Sequence, residues 1–207
     1  MQLKTTTKLF RGTYQYKIVL VCSGATWFRS GNMADTLVQL QHSNPENKAL
    51  YRPNHIKTKE DFDYACGLAL QLQKMKDLDI RVESPWISIY SNNKKDITTL
   101  TNLDKDRVKY ICSPAPNTTL DEDTIIMPKM DYDYRITLGK TTQEYQAFVE
   151  WAESNPKLKL TKSCKKDLLR TRTWGGKHFY LTGDKNLLLA KMHLGGCIAK
   201  VERIVKS

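Results

Sequence analysis

The sequence predicts an α+β protein of two tandem units, each running β-α-β-β-α-β. Three observations carry this. Short β-branched runs with period-two alternation recur, separated by stretches of helical period. The same order of elements stands on either side of a polar segment, residues 113–130, that carries three prolines. Residues also match at fixed offsets. Tyr90, Ile97, Val108 and Ile111 align with Tyr180, Leu187, Ile198 and Val201 at 90 residues, and 14–20 aligns with 132–138 at 118.

Taken in order, the first unit covers 1–113 and opens with a basic arm whose Leu9 and Phe10 are expected to pack with the first strand, 14–22. An insertion over 23–57 follows, holding Trp27, a short helix over 33–41, and a loop with His42, Arg52 and His55. A helix over 58–76 has Thr58 as N-cap, Glu60 and Asp61 in its first turn, and Phe62, Ala65, Ala69 and Leu72 on one face. Strands over 79–83 and 86–91 come next, then a short helix capped by Asp96 with Ile97, Leu100 and Leu103 inward, and a strand over 107–112. A linker over 114–130 contains a short strand or docking segment at 125–127.

The second unit, 131–207, starts with a strand over 132–138. Thr141 or Thr142 caps a helix with Tyr145, Phe148, Val149 and Ala152 at i, i+3, i+4 and i+7, which Asn155-Pro156 ends. A strand over 158–161, a long polar hairpin, and a strand over 177–182 follow. A helix begins at Asp184 and stops at Gly195-Gly196, with His193 near its end as a cap, and 197–205 is the last strand.

Composition bounds the function. The 207 residues are 40% hydrophobic and 27% charged, an ordinary globular balance. No apolar run approaches the roughly 18–20 residues that span a bilayer, and the first residues lack a signal-peptide core, so a cytoplasmic protein without a membrane partner is expected. Five scattered cysteines, without a C-x-x-C pair, read as reduced thiols. No Walker A, dinucleotide or H-E-x-x-H motif is present, and no cofactor or metal is expected. The net charge of +11 favours polyanions, because each neutralised phosphate releases counterions.

Alternation assigns the outward side chains. With Ile18, Leu20, Ile80, Val82, Ile87 and Ile89 facing helices, Lys17, Arg81, Ser88 and Tyr90 point away. In the second unit Ile136, Leu138, Leu158, Leu160, Phe179 and Leu181 face inward, leaving Arg135, Lys159, His178 and Tyr180 outside. Sheet faces that mix cations with rings suit single strands, whose bases stack while phosphates meet Lys and Arg. The same faces are equally suited to packing on each other or on another subunit. The densest signal is the 162–177 hairpin. Lys162, Lys165, Lys166, Arg170, Arg172 and Lys177 oppose only Asp167, a net of +5, and Trp174 is followed by two glycines.

The element order over nearly the whole chain resembles the ferredoxin-like topology, including RNA-recognition-motif proteins, with antiparallel sheets and helices on one face. Gly176-Lys177-His178-Phe179-Tyr180-Leu181 is faintly similar to the RNA-recognition motif's basic-aromatic signature, and 86–90 departs from it. Tandem units with a basic loop also resemble the CRISPR-RNA-processing endoribonucleases. Their glycine-rich C-terminal loop is not reproduced by Leu194-Gly195-Gly196-Cys197. That resemblance implies His178, with Tyr180 and Lys177, as the acid–base group of a metal-independent ribonuclease.

The expectation is therefore a non-enzymatic protein that binds single-stranded RNA or DNA through the hairpin and the outer sheet faces. The alternative is a structural or assembly protein, such as a viral or phage particle component, whose basic face meets other subunits or packaged genome.

Overall fold

The computed structural model describes residues 2–46 and 56–206, so Arg52 and His55 of the insertion lie outside the described residues. The chain divides into two compact units, Met1–Thr119 and Leu120–Ser207, and the division falls within the 114–130 segment. Both are mixed α+β.

The first unit contains β1 (Gln2–Thr6), β2 (Tyr16–Val21), α1 (Met33–Gln41), α2 (Lys59–Lys74), β3 (Asp79–Glu83), β4 (Trp86–Ser91), α3 (Lys94–Leu103) and β5 (Val108–Pro114). Its five-stranded sheet has the order β1-β5-β2-β4-β3. The second unit contains β6 (Thr124–Ile126), β7 (Tyr134–Leu138), α4 (Gln146–Ser154), β8 (Leu158–Leu160), α5 (Lys162–Leu168), β9 (His178–Leu181), α6 (Asp184–Leu194) and β10 (Ile198–Val205). Its sheet has the order β6-β10-β7-β9-β8, strand for strand the same arrangement.

In each sheet the four strands anticipated from alternation pair antiparallel, and a fifth joins the last of them in parallel. These added edges, β1 and β6, correct the expectation of purely antiparallel sheets. β6 falls on the short strand or docking segment expected at 125–127, with Ile125 buried, whereas β1 has no buried face to announce it: it reads Gln-Leu-Lys-Thr-Thr, almost wholly exposed. Backbone hydrogen bonds to β5 hold it.

The helices form where their caps allow. Thr58 accepts from the Asp61 amide at 3.1 Å, opening α2, and Phe62, Ala65, Leu68, Ala69 and Leu72 line its buried face. The cap of α3 is Asn93, not Asp96. Asp96 instead accepts from Ser91 Oγ at 2.8 Å and from Asn93 Nδ2 at 3.1 Å, tying the helix start to β4. Tyr145, not Thr141 or Thr142, stands at the cap position of α4. Thr141 is committed elsewhere, as shown below.

Each sheet buries one face under its helices. Ile18, Leu20, Ile87 and Ile89 meet Phe62, Leu68, Leu72, Ile97 and Leu100 in the first core. Ile136, Leu138, Phe179 and Leu181 meet Phe148, Val149, Ala190 and Leu194 in the second. Each fully buried side chain of this kind contributes about 1.5–3 kcal/mol. His193 does not cap α6; its ring stacks on Trp151 at 5.1 Å, and Gly195 occupies the C-cap.

The cysteines are free, and burial pushes the Cys22 thiol from the ordinary value of 9.0 to about 11 and that of Cys164 to about 12. A raised thiol pKa keeps the proton on the folded state after the unfolded chain has lost it. That stabilisation is whole below pH 9.0 and is lost as pH rises through about 11. Urea midpoints are expected to fall across this window, and Cys22→Ser is expected to shrink the fall; an unchanged slope would contradict the assignment.

Candidate functional site

The hairpin predicted over 162–177 is half helix. Thr161 Oγ1 accepts from the Cys164 amide at 3.2 Å, opening α5. Cys164 and Leu168, one turn apart, are fully buried. The buried pair turns the polar residues outward. Lys162 and Lys166 are exposed, while Lys165 pairs with Glu153 of α4. A Thr cap followed by an i, i+4 apolar pair is the signal for this helix, faint because only seven residues carry it.

After α5 the chain forms a braced loop. Thr173 and Thr141 make an isolated antiparallel bridge, with backbone bonds of 3.2 and 3.4 Å and their hydroxyls 2.9 Å apart. Beyond Trp174, the Gly176 amide donates to the Leu138 carbonyl at 2.7 Å, and the Leu138 amide donates to the Lys177 carbonyl at 2.8 Å. Gly175, at φ +76°, lies against Gly139 so closely that a Cβ would fall 2.4 Å from the Gly139 carbonyl carbon.

These anchors hold the indole of Trp174 out into solvent, 89% exposed. Lys140 Nζ lies 5.6 Å from the ring centroid. Lys140, Thr141, Thr142, Arg172, Thr173 and Trp174 line a cleft of about 380 Å³. Arg172 is exposed, as are Arg170 and Lys177 elsewhere on the same loop. Among the described residues the lining holds two cations, three threonines and one indole, and no carboxylate.

Lys140 was missed by sequence reasoning because it sits between a strand and a presumed helix cap. A usable signal is the likeness of Lys140-Thr141-Thr142 to Arg172-Thr173-Trp174, two cation-threonine segments that the bridge brings side by side.

The outer sheet positions fare differently. Tyr90 is only 5% exposed and Tyr180 only 6%, a correction to their expected role as open stacking platforms. Tyr90 lies beneath Phe10 at 5.8 Å and Tyr14 at 6.2 Å, with the Arg11 guanidinium 4.9 Å from its ring. Tyr180 packs with Tyr132 at 5.9 Å, and with Ile125, Ile204, Met127 and Met130. The two covering pairs, Tyr14–Tyr90 and Tyr132–Tyr180, occupy the matched offsets and tilt by 34° and 32°.

Arg135 faces outward as expected but is drawn to Glu202 directly across from it, at 3.7 Å, and Lys200 reaches the same carboxylate at 3.4 Å. Glu202 is 1% exposed, so this acid neutralises the centre of that face. Arg81 pairs with Glu83 at 2.5 Å. Lys159 is exposed on β8. His178 is half-buried, with its ring meeting that of Tyr180 edge-on at 5.4 Å. Lys17 is half-buried, its ammonium 5.5 Å from the Tyr90 ring and 5.4 Å from that of Tyr110.

The structure thus gathers Arg170, Arg172, Trp174 and Lys177 at one loop, sets Lys162 and Lys166 on the helix before it, and leaves Lys17, Arg81 and Tyr90 in the other unit. Among the described residues no helix is long and apolar enough to cross a membrane, and no group of three or more His, Cys, Asp or Glu residues could hold a metal ion. No family model, curated protein or solved structure matches the chain.

Proposed function

We propose that this protein binds single-stranded nucleic acid without catalysing a reaction on it, and that the Trp174 loop is the principal contact. The observation that carries the reading is a large aromatic ring held almost fully in water by a backbone braced on both sides. Exposing an indole forgoes burial that would stabilise the fold. A ring so placed, with cations beside it and no carboxylate among the described residues of the cleft, suits a base stacked on its face and phosphates at Lys140, Arg172 and Lys177.

The remainder of each sheet supports the finer reading of the fold. Without β1 and β6, the strand orders β5-β2-β4-β3 and β10-β7-β9-β8 are those of the ferredoxin-like arrangement, and we take the chain as two such units in tandem. The assembly alternative has less behind it, because the covering of Tyr90 and Tyr180 takes part of each outer sheet face away from a packing partner.

The test is a salt series. Affinity for single-stranded oligonucleotides should exceed that for duplex, and its logarithm should fall linearly with log salt, with a slope of about −0.7 per phosphate neutralised. Salt-independent self-association without oligonucleotide affinity would replace this reading with the assembly one.

The loop geometry gives a paired prediction. Gly175 and Gly176 both have positive φ, but only Gly175 has a neighbour against it. Gly175→Ala should therefore weaken oligonucleotide binding several-fold more than Gly176→Ala, as measured by fluorescence anisotropy. Equal effects would mean that the close approach to Gly139 does not set the position of Trp174.

A further inference from the structure

The outer side of the first sheet differs from its counterpart in one respect that bears on binding. In the second unit Glu202 stands opposite Arg135. The matching positions in the first unit, at offsets of 90 (202 − 112) and 118 (135 − 17), are Cys112 and Lys17, again directly paired. The acid is replaced by a neutral thiol. Lys200, two residues before Glu202, is matched by Tyr110, so a ring replaces the second cation there.

The register extends this into rows. Lys4, Cys112, Lys17 and Tyr90 lie side by side across β1, β5, β2 and β4, ending at Asp79 on β3. The next row holds Gln2, Tyr110, Val19, Ser88 and Arg81. Lys4 Nζ sits 4.2 Å from the Tyr110 ring centroid, and Lys109 Nζ sits 3.3 Å from that of Trp86, which is 40% exposed. The acids of the face lie on its far strand and are already paired, Asp79 with Arg11 and Glu83 with Arg81. Phe10 and Tyr14 shield Tyr90. The ammonium groups of Lys4, Lys17 and Lys109 lie over rings, although Trp86 also has Glu83 as its cross-strand neighbour on β3.

We propose that the outer side of the first sheet from β1 across to β4, formed by Lys4, Lys17, Lys109, Tyr110 and Trp86, is a second strand-binding surface for single-stranded nucleic acid. It is built on the added strand β1 and acts separately from Trp174. Phosphates take the three ammonium groups, and bases stack on Trp86 and Tyr110 as those groups leave the rings. An acidic protein segment would use the charges but leave the rings without a role, so a nucleic-acid strand fits better. The proposal shares only its class of ligand with the reading of the Trp174 loop.

The experiment uses the full chain and an oligonucleotide of about 6 nucleotides, within the ~4–16 that one small binding fold covers. Native mass spectrometry should count two bound per chain. Lys4→Ala/Lys17→Ala/Lys109→Ala should leave one, Trp174→Ala should leave the other, and ultraviolet cross-links should map to Trp86 or Tyr110 in the Trp174→Ala chain. Matching thermal melts control for folding. A wild-type count of one, abolished by Trp174→Ala, overturns the second surface while sparing the first. Loss of binding in the triple lysine variant alone spares the second surface and removes the Trp174 reading. Displacement from the Trp174→Ala chain by polyglutamate as effective as by an oligonucleotide of equal charge overturns it in favour of an acidic protein partner.

Discussion

Trp174→Ala is expected to weaken single-strand binding by about 1–3 kcal/mol, roughly 5- to 150-fold, the range measured when a stacked base loses its ring. The indole contributes little to its own unit, being 89% exposed, so the loss should come without a matching fall in thermal stability. Trp174→Phe should recover most of the affinity, because stacking needs a π-face more than an N–H donor. Lys140→Ala/Arg172→Ala should act differently. Two phosphate contacts fewer should flatten the salt slope by about 1.4 while leaving the ring's contribution intact. Anisotropy titrations at several salt concentrations separate the two effects. If Trp174→Ala binds within about twofold of wild type, the loop is not the contact.

Phe179→Ala should produce the largest loss of stability, about 3–5 kcal/mol. Phe179 is fully buried on β9 and meets Phe148 of α4 edge-to-face at 5.3 Å, joining sheet to helix at the middle of the second core. Typical domains are stable by only about 5–15 kcal/mol, so this one change should remove a large share. Because β9 also follows directly from the Trp174 loop, binding at that loop should disappear with the fold of its unit. Urea denaturation followed by circular dichroism provides the measurement. A cost below about 1 kcal/mol would mean that the site collapses without a cavity, contrary to a close-packed core.

Much of the fold was legible because its signals are local. The strands over 79–83 and 86–91 and the helix over 33–41 have the bounds the alternation and periodicity assign. Thr58 caps α2 as its spacing to the acidic first turn implies. Where two capping residues competed, the nearer partner decided: Asn93 reaches the amide of Lys95 at 3.0 Å, and Asp96 is left to bind Ser91. The short α5 escaped notice because its apolar content is one buried pair, Cys164 and Leu168. Of the candidate site, the cations and Trp174 stood out as a charge cluster. Lys140 did not, being 32 residues before Arg172 and brought beside it by long-range pairing that includes the Thr141–Thr173 bridge.

By itself the sequence determined most of the helices and strands, though not α5 or β1, together with which residues face the two cores and the excess of positive charge. All of these follow from periods of 2 and 3.6 residues and from composition, which neighbours in the chain suffice to set. Only the tertiary structure decided what lies over each outward face. Tyr90 and Tyr180 alternate to the outside and are nonetheless buried, because Phe10, Tyr14 and Tyr132 arrive from elsewhere in the chain. Arg135 is outward and nonetheless neutralised, because β10 brings Glu202 opposite it. Alternation says which way a side chain points; long-range pairing says what it meets there, and no period in the sequence encodes that meeting.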